Sequence, residues 1–150
     1  MNLPELKARM QRAINTLYAR DSKLFEIKVS EWAIAHRLAV YLEQEIPGWN
    51  VDCEYNKQGE KGDTKTNAQT GRVTENTRPD IILHHRGQSL PEHNLLLVEL
   101  KLDEIADDRK VKEFTRLPAG DRQFQYQYGL ALSFLPKLTP RWYADGKPLL

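Results

Sequence analysis

Two acids and a lysine sit in unusual surroundings in this chain. Asp80 follows Pro79 at the start of an apolar run, and Glu99 and Lys101 close another, Asn94-Leu95-Leu96-Leu97-Val98-Glu99-Leu100-Lys101. Side chains on a strand alternate with period 2, so Glu99 and Lys101 share a face. Carboxylates gathered at one place repel and are costly to desolvate, and a divalent cation removes both penalties. Mg²⁺ is held through one or two carboxylates and keeps several waters, leaving room for phosphate oxygens. Such an ion acidifies a bound water and stabilises charge on a phosphoryl group. A neighbouring lysine can orient or deprotonate that water, or neutralise developing charge. The chemistry implied is hydrolysis of a phosphodiester.

The tripeptide alone says little, since Glu5-Leu6-Lys7 repeats it and other acids stand two before a lysine. Context singles out Glu99-Leu100-Lys101, which ends a strand apolar on both faces and therefore central. Pro79-Asp80 is the one Pro-Asp in the chain. Antiparallel pairing of the strands 78–84 and 94–102 through the turn at Arg86-Gly87 brings Asp80 towards Glu99.

The elements that must position these residues follow from periodicity and caps. Asn2 and Glu5 start a helix carrying Leu6, Met10, Ala13, Ile14 and Leu17, ending near Asp21-Ser22. A second helix runs from the cap Ser30 to about Glu45, before Pro47-Gly48, with Ile34, Ala35, Leu38, Tyr41 and Leu42 inward. Glu31 precedes that inward stripe by three and four residues and can cover the same end of the sheet. Residues 49–56 alternate as a strand, and 57–77 form a long polar connection. A helix is expected from Asp103 to about Leu117 and a strand from Tyr126 to Leu135, with the tail from Pro136 unassigned. The order predicts an antiparallel three-strand meander, then a crossover helix adding a fourth strand parallel to the third. The fold class expected is mixed α/β: one domain over 1–150, with a helical extension at 1–22, a core at about 30–135 and a tail at 136–150.

Pro79-Asp80 together with Glu99-Leu100-Lys101 resembles the signature of the PD-(D/E)XK, or restriction-endonuclease-like, nuclease superfamily, and the order from 30 to 135 is similar to its α-β-β-β-α-β core around a four-stranded sheet. The resemblance implies metal binding by Asp80, Glu99 and the carbonyl of Leu100, catalysis by Lys101, and a first-helix acid matched by Glu31 as metal ligand and catalytic residue. It implies Mg²⁺, with Mn²⁺ as a substitute. The Gln-and-Tyr motif of some relatives is not carried over, because Gln123, Gln125, Tyr126, Gln127 and Tyr128 lie nearer the last strand.

Nucleic acid, as DNA, is the expected partner. Lys57, Lys61, Lys65 and Arg78 around the polar connection, and Arg109, Lys112 and Arg116 on one face of the later helix, are the candidate phosphate contacts. The overall balance, 22 Lys and Arg against 21 Asp and Glu, neither demands nor excludes this. Glu54 is a weaker candidate for the carboxylate group. His84, His85 and His93 lack the Cys partners or helical spacing of a zinc site, and Cys53 is expected in the core. Arg141-Trp142-Tyr143 are open to base stacking, a dimer contact or core packing. No apolar run spans a bilayer, and no signal-peptide pattern opens the chain; a cytoplasmic protein is expected. One site per chain makes a homodimer one way to cut both strands. The rival expectation is a nuclease-fold module that binds nucleic acid or protein without turnover.

Overall fold

The computed structural model describes residues 1–55, 57–58, 63–64, 78–116 and 125–150. Helix α1 (Leu3–Glu26) begins as its sequence implies: the Asn2 side chain accepts from the Glu5 N–H at 2.9 Å. It does not end at Asp21. Asp21 is non-helical and kinks the helix, which continues to Glu26. The kink is held from outside, because Tyr41 and Arg37 both donate to Asp21 Oδ2. Helix α2 (Glu31–Glu45) matches its expected span. The chain leaves it through Gly48 at φ +89°, a conformation that L side chains rarely adopt.

Strands β1 (Asn50–Cys53), β4 (Ile81–His84) and β5 (Asn94–Lys101) form the antiparallel meander. Between β1 and β4, the two-residue strands β2 (Lys57–Gln58) and β3 (Asp63–Thr64) pair with each other. Helix α3 (Arg109–Thr115) crosses over to β6 (Tyr128–Ser133), which lies parallel to β5. The sheet then extends further than expected. The tail adds β7 (Thr139–Ala144) and β8 (Lys147–Pro148), both antiparallel, so the sheet has six strands in the order β1-β4-β5-β6-β7-β8 and not four. Pro140 lies within β7. It is tolerated because β8 pairs only with Tyr143 and Ala144, leaving the outer side of β7 without a strand partner at Pro140.

Helices α1 and α2 cover one face of the sheet, burying Leu6, Leu17, Ile34 and Leu38 against Leu96, Val98, Leu100 and Leu130. The other face packs Ile82, Leu97, Ala131 and Tyr143 under Val111 and Phe114 of α3. Strand β5 is thus buried on both faces until Glu99. Gly129 is what lets α3 lie close: a Cβ there would stand 2.3 Å from Val111 Cγ1 and 2.9 Å from Thr115 Cγ2.

The crossover helix is shorter than expected, and residues 103–108 are not helical. That segment is tied to the strands instead. The Ala106 N–H donates to Ser133 Oγ at 2.9 Å, and its carbonyl accepts from Arg141. Trp142 and Tyr143 are buried, which settles their packing as core. Among the described residues no helix is long and apolar enough to cross a membrane.

Candidate active site

The β4–β5 register pairs Ile81 with Val98, so the next position outward sets Asp80 opposite Glu99. The β1–β4 register pairs Cys53 with Ile81, so Glu54 falls opposite Asp80. Three acidic residues therefore fall in one row just beyond the β1–β4 and β4–β5 ladders, Glu54 with a left-handed backbone at φ +53°. Two backbone links confirm the row: the Glu54 N–H donates to the Asp80 carbonyl at 3.3 Å, and the Leu100 N–H donates to Asp80 Oδ2 at 2.8 Å. In an extended strand the N–H and C=O of one residue point to the same side. The Leu100 carbonyl therefore also faces the Asp80 side of β5.

Burial and mutual repulsion mark these groups. The Glu99 carboxyl is pushed up to about 7, first by burial and then by Asp80, with Lys110 pulling it back. Burial likewise raises Asp80, offset in part by the Leu100 N–H, Lys110 and Lys101. Glu54 is raised by burial and by Asp80. Carboxylates this close titrate as a set and not singly.

Lys110 is the residue beside the acids that sequence reasoning missed. Its Nζ lies 2.9 Å from Glu99 Oε1 and donates to the Arg78 carbonyl at 3.1 Å. Lys110 is the cation that partners the buried Oε1 and opposes the rise of the Glu99 carboxyl. A signal was available: Lys110 precedes the buried Phe114 by four residues, which places it on the inward stripe of α3.

Lys101 takes different partners. It lies 3.4 Å from Glu31 and 3.6 Å from Glu104, with its side chain 38% exposed. Burial works against its ammonium, but Glu31 and then Glu104 outweigh this and raise its pKa above the usual lysine value. Glu31 reaches Lys101 from the opposite layer, around the strand end, and so joins the lysine and not the carboxylate row. Glu99, Lys101 and Lys110, with Asp107, Arg109 and Glu113, line a cleft of about 400 Å³.

The other candidates lie as follows. Arg109 is bound to Asp107 at 2.6 Å and Lys112 to Asp108 at 3.0 Å, so both cations are matched locally. Arg78 and Arg116 are exposed. Lys61 and Lys65 lie outside the described residues, as does the side chain of Lys57. Cys53, expected in the core, is exposed: it sits at the end of edge strand β1, with burial and then nearby acids raising its thiol to about 11. His84 pairs with Asp52 at 2.7 Å, and His85 Nδ1 faces His93 Nδ1 at 2.9 Å while its ring stacks on Trp49.

Among the described residues no three His, Cys, Asp or Glu side chains are gathered closely enough to enclose an ion. The donor set is instead two adjacent carboxylates with a backbone carbonyl beside them. That set fits a hard cation needing only one or two carboxylates.

Comparison of the chain with family models, with curated proteins and with solved structures gives no match.

Proposed function

We propose that this protein is a metal-dependent nuclease of the restriction-endonuclease-like kind, hydrolysing phosphodiester bonds of DNA. One observation carries the reading: Asp80 stands opposite Glu99 at the end of a central strand, with Lys101 next on the same face and a cleft in front of Glu99 and Lys101. A sheet end that served only for folding would gain nothing from two desolvated carboxylates facing each other.

Asp80 and Glu99 would hold Mg²⁺ or Mn²⁺, with the Leu100 carbonyl as a further ligand. When bound, the ion supplies an acidified water and charge stabilisation at the phosphoryl oxygens. The chain's own residues do the rest. The Leu100 N–H fixes the Asp80 carboxylate by a 2.8 Å bond, so its free oxygen is oriented before any ligand arrives. Lys110 offsets negative charge at Glu99. Lys101 is held as an ammonium by Glu31 and Glu104, which suits it to stabilise charge on the phosphoryl group or leaving oxygen, and not to take a proton from water. Glu31 acts through Lys101 as a positioning residue.

The test is a cleavage screen of linear, nicked and single-stranded DNA, and of RNA, in Mg²⁺ and Mn²⁺, with Asp80→Asn as control and calorimetric titration of the ion. Cleavage by the wild type alone, with ion binding lost in the control, supports the reading. Absence of both cleavage and ion binding would sink it.

A further inference from the structure

We infer that Trp32 is a base-stacking residue and that the site takes a single strand, the indole seating on the unpaired base next to the phosphate at Asp80 and Glu99. The inference rests on the nuclease reading of that site and names its substrate class.

Helix α2 buries Ile34, Ala35 and Leu38, yet its first turn leaves Trp32 71% exposed. The other tryptophans are engaged: Trp49 stacks on His85 at 4.0 Å and Trp142 is buried in the core. The exposed indole is not at a random place. Trp32 lines a cleft of about 200 Å³ together with Ala35, His36, Cys53, Glu54 and Asp80. Its neighbour Glu31 touches Lys101. The cleft at Trp32 opens on the α2 side of the sheet end, and the cleft at Lys110 opens on the α3 side. Asp80 lines the first, its cross-strand partner Glu99 lines the second, and a chain laid over the strand ends from one to the other passes both carboxylates.

Two physical arguments select a single strand. Inside a duplex both faces of every base are covered by neighbouring pairs, so a fixed indole finds a free face only on an unpaired base. Duplex affinity also depends on many cation–phosphate contacts. Here Arg109 and Lys112 are already matched by Asp107 and Asp108. One stacking platform beside a short cleft whose acids and bases balance, Glu99, Asp107 and Glu113 against Lys101, Arg109 and Lys110, suits a flexible strand better than a rigid rod.

The experiment follows the fluorescence anisotropy of a dye-labelled short oligothymidylate and, separately, of a dye-labelled closed hairpin duplex, with and without Ca²⁺, together with the tryptophan fluorescence of the wild type. Wild type, Trp32→Ala and Trp32→Phe are compared, and circular dichroism checks that each is folded. The expected result is quenching by the single strand, about 5- to 150-fold weaker binding in Trp32→Ala, and partial recovery in Trp32→Phe. Equal affinity of the wild type for the hairpin, unchanged single-strand affinity of Trp32→Ala, or no binding of either probe overturns the inference. Parallel cleavage assays in Mn²⁺ separate the two readings. Strand binding through Trp32 with no cleavage in any metal overturns only the nuclease reading. Cleavage with KM unchanged in Trp32→Ala overturns only the stacking role.

Discussion

Lys110 of α3 lies against Glu99 of β5, Nζ to Oε1 at 2.9 Å, with both side chains less than one-fifth exposed. The ion pair joins the crossover helix to the carboxylate row and supplies the positive charge nearest the proposed metal position. Removing it as Lys110→Ala leaves the Glu99–Asp80 repulsion without its offset. The protein is expected to lose about 1–3 kcal/mol near neutral pH, less than a fully buried pair would cost because some solvent reaches both groups. Added Mn²⁺ should restore much of that loss. Thermal melts with and without Mn²⁺ check this, and equal destabilisation in both would disconnect Lys110 from the ion.

Asp80 has two roles that a single truncation would confuse. Asp80→Ala deletes a carboxylate and also the acceptor of the Leu100 N–H, at a cost of about 1–3 kcal/mol for the stranded donor. Asp80→Asn keeps an acceptor oxygen there. It should melt close to the wild type while losing metal-dependent cleavage and calorimetric ion binding. Wild-type cleavage by Asp80→Asn would exclude this carboxylate from the site.

Glu99 sets a dependence of stability on pH. Its folded pKa, about 7, lies above its usual value near 4.5, so between these values the folded state binds more protons than the unfolded one. Stability from this group is fully present below about pH 4.5 and is lost as pH rises through about 7, a change on the order of 3 kcal/mol. Urea melts of the ion-free protein should show the decline, and Glu99→Gln should flatten it. A slope of the opposite sign in this window would refute the assignment.

How much of this was legible beforehand depends on how local each signal is. The Asn2 cap of α1, the apolar stripes of α1 and α2, the meander and the parallel β5–β6 crossover follow from short-range patterns, and the chain adopts them; Ser30 stands at the start of α2 without a side-chain capping bond. The Asp80–Glu99 pairing needed only two strands and the turn between them. What was missed is tertiary. Asp103 to Asp108 has a helix-compatible composition, but bonds from Ser133 and Arg141 to Ala106 hold it against the sheet. Glu54 joins the row only through the β1 register. Lys110 was obscured by more conspicuous basic neighbours, Arg109 and Lys112, which turn to nearby aspartates instead.

Lys101 separates chemistry from architecture. Its side chain is 38% exposed and its partners Glu31 and Glu104 are exposed enough to be resolvated, so Lys101→Ala should change the melting temperature little. Turnover should fall on the order of 10²–10⁴-fold if its charge serves the reaction. Ion binding, measured calorimetrically, should be kept or strengthened, since one cation opposes another. Unchanged cleavage in a stable variant would remove Lys101 from the mechanism.

Asp80 fastens three strands by itself: its carbonyl receives the Glu54 N–H of the chain leaving β1, and its carboxylate receives the Leu100 N–H of β5. The acids lie just beyond the last β4–β5 pair, Ile81 and Val98, while β5 stays paired with β6 as far as Lys101. An opening between β4 and β5 would disperse the proposed ligand set, because Asp80 leads into β4 while Glu99 and Leu100 belong to β5. The lifetime of an assembled site is then the closed time of a local opening, and a bound cation, by bridging β4 and β5, would act as a rivet that lengthens it.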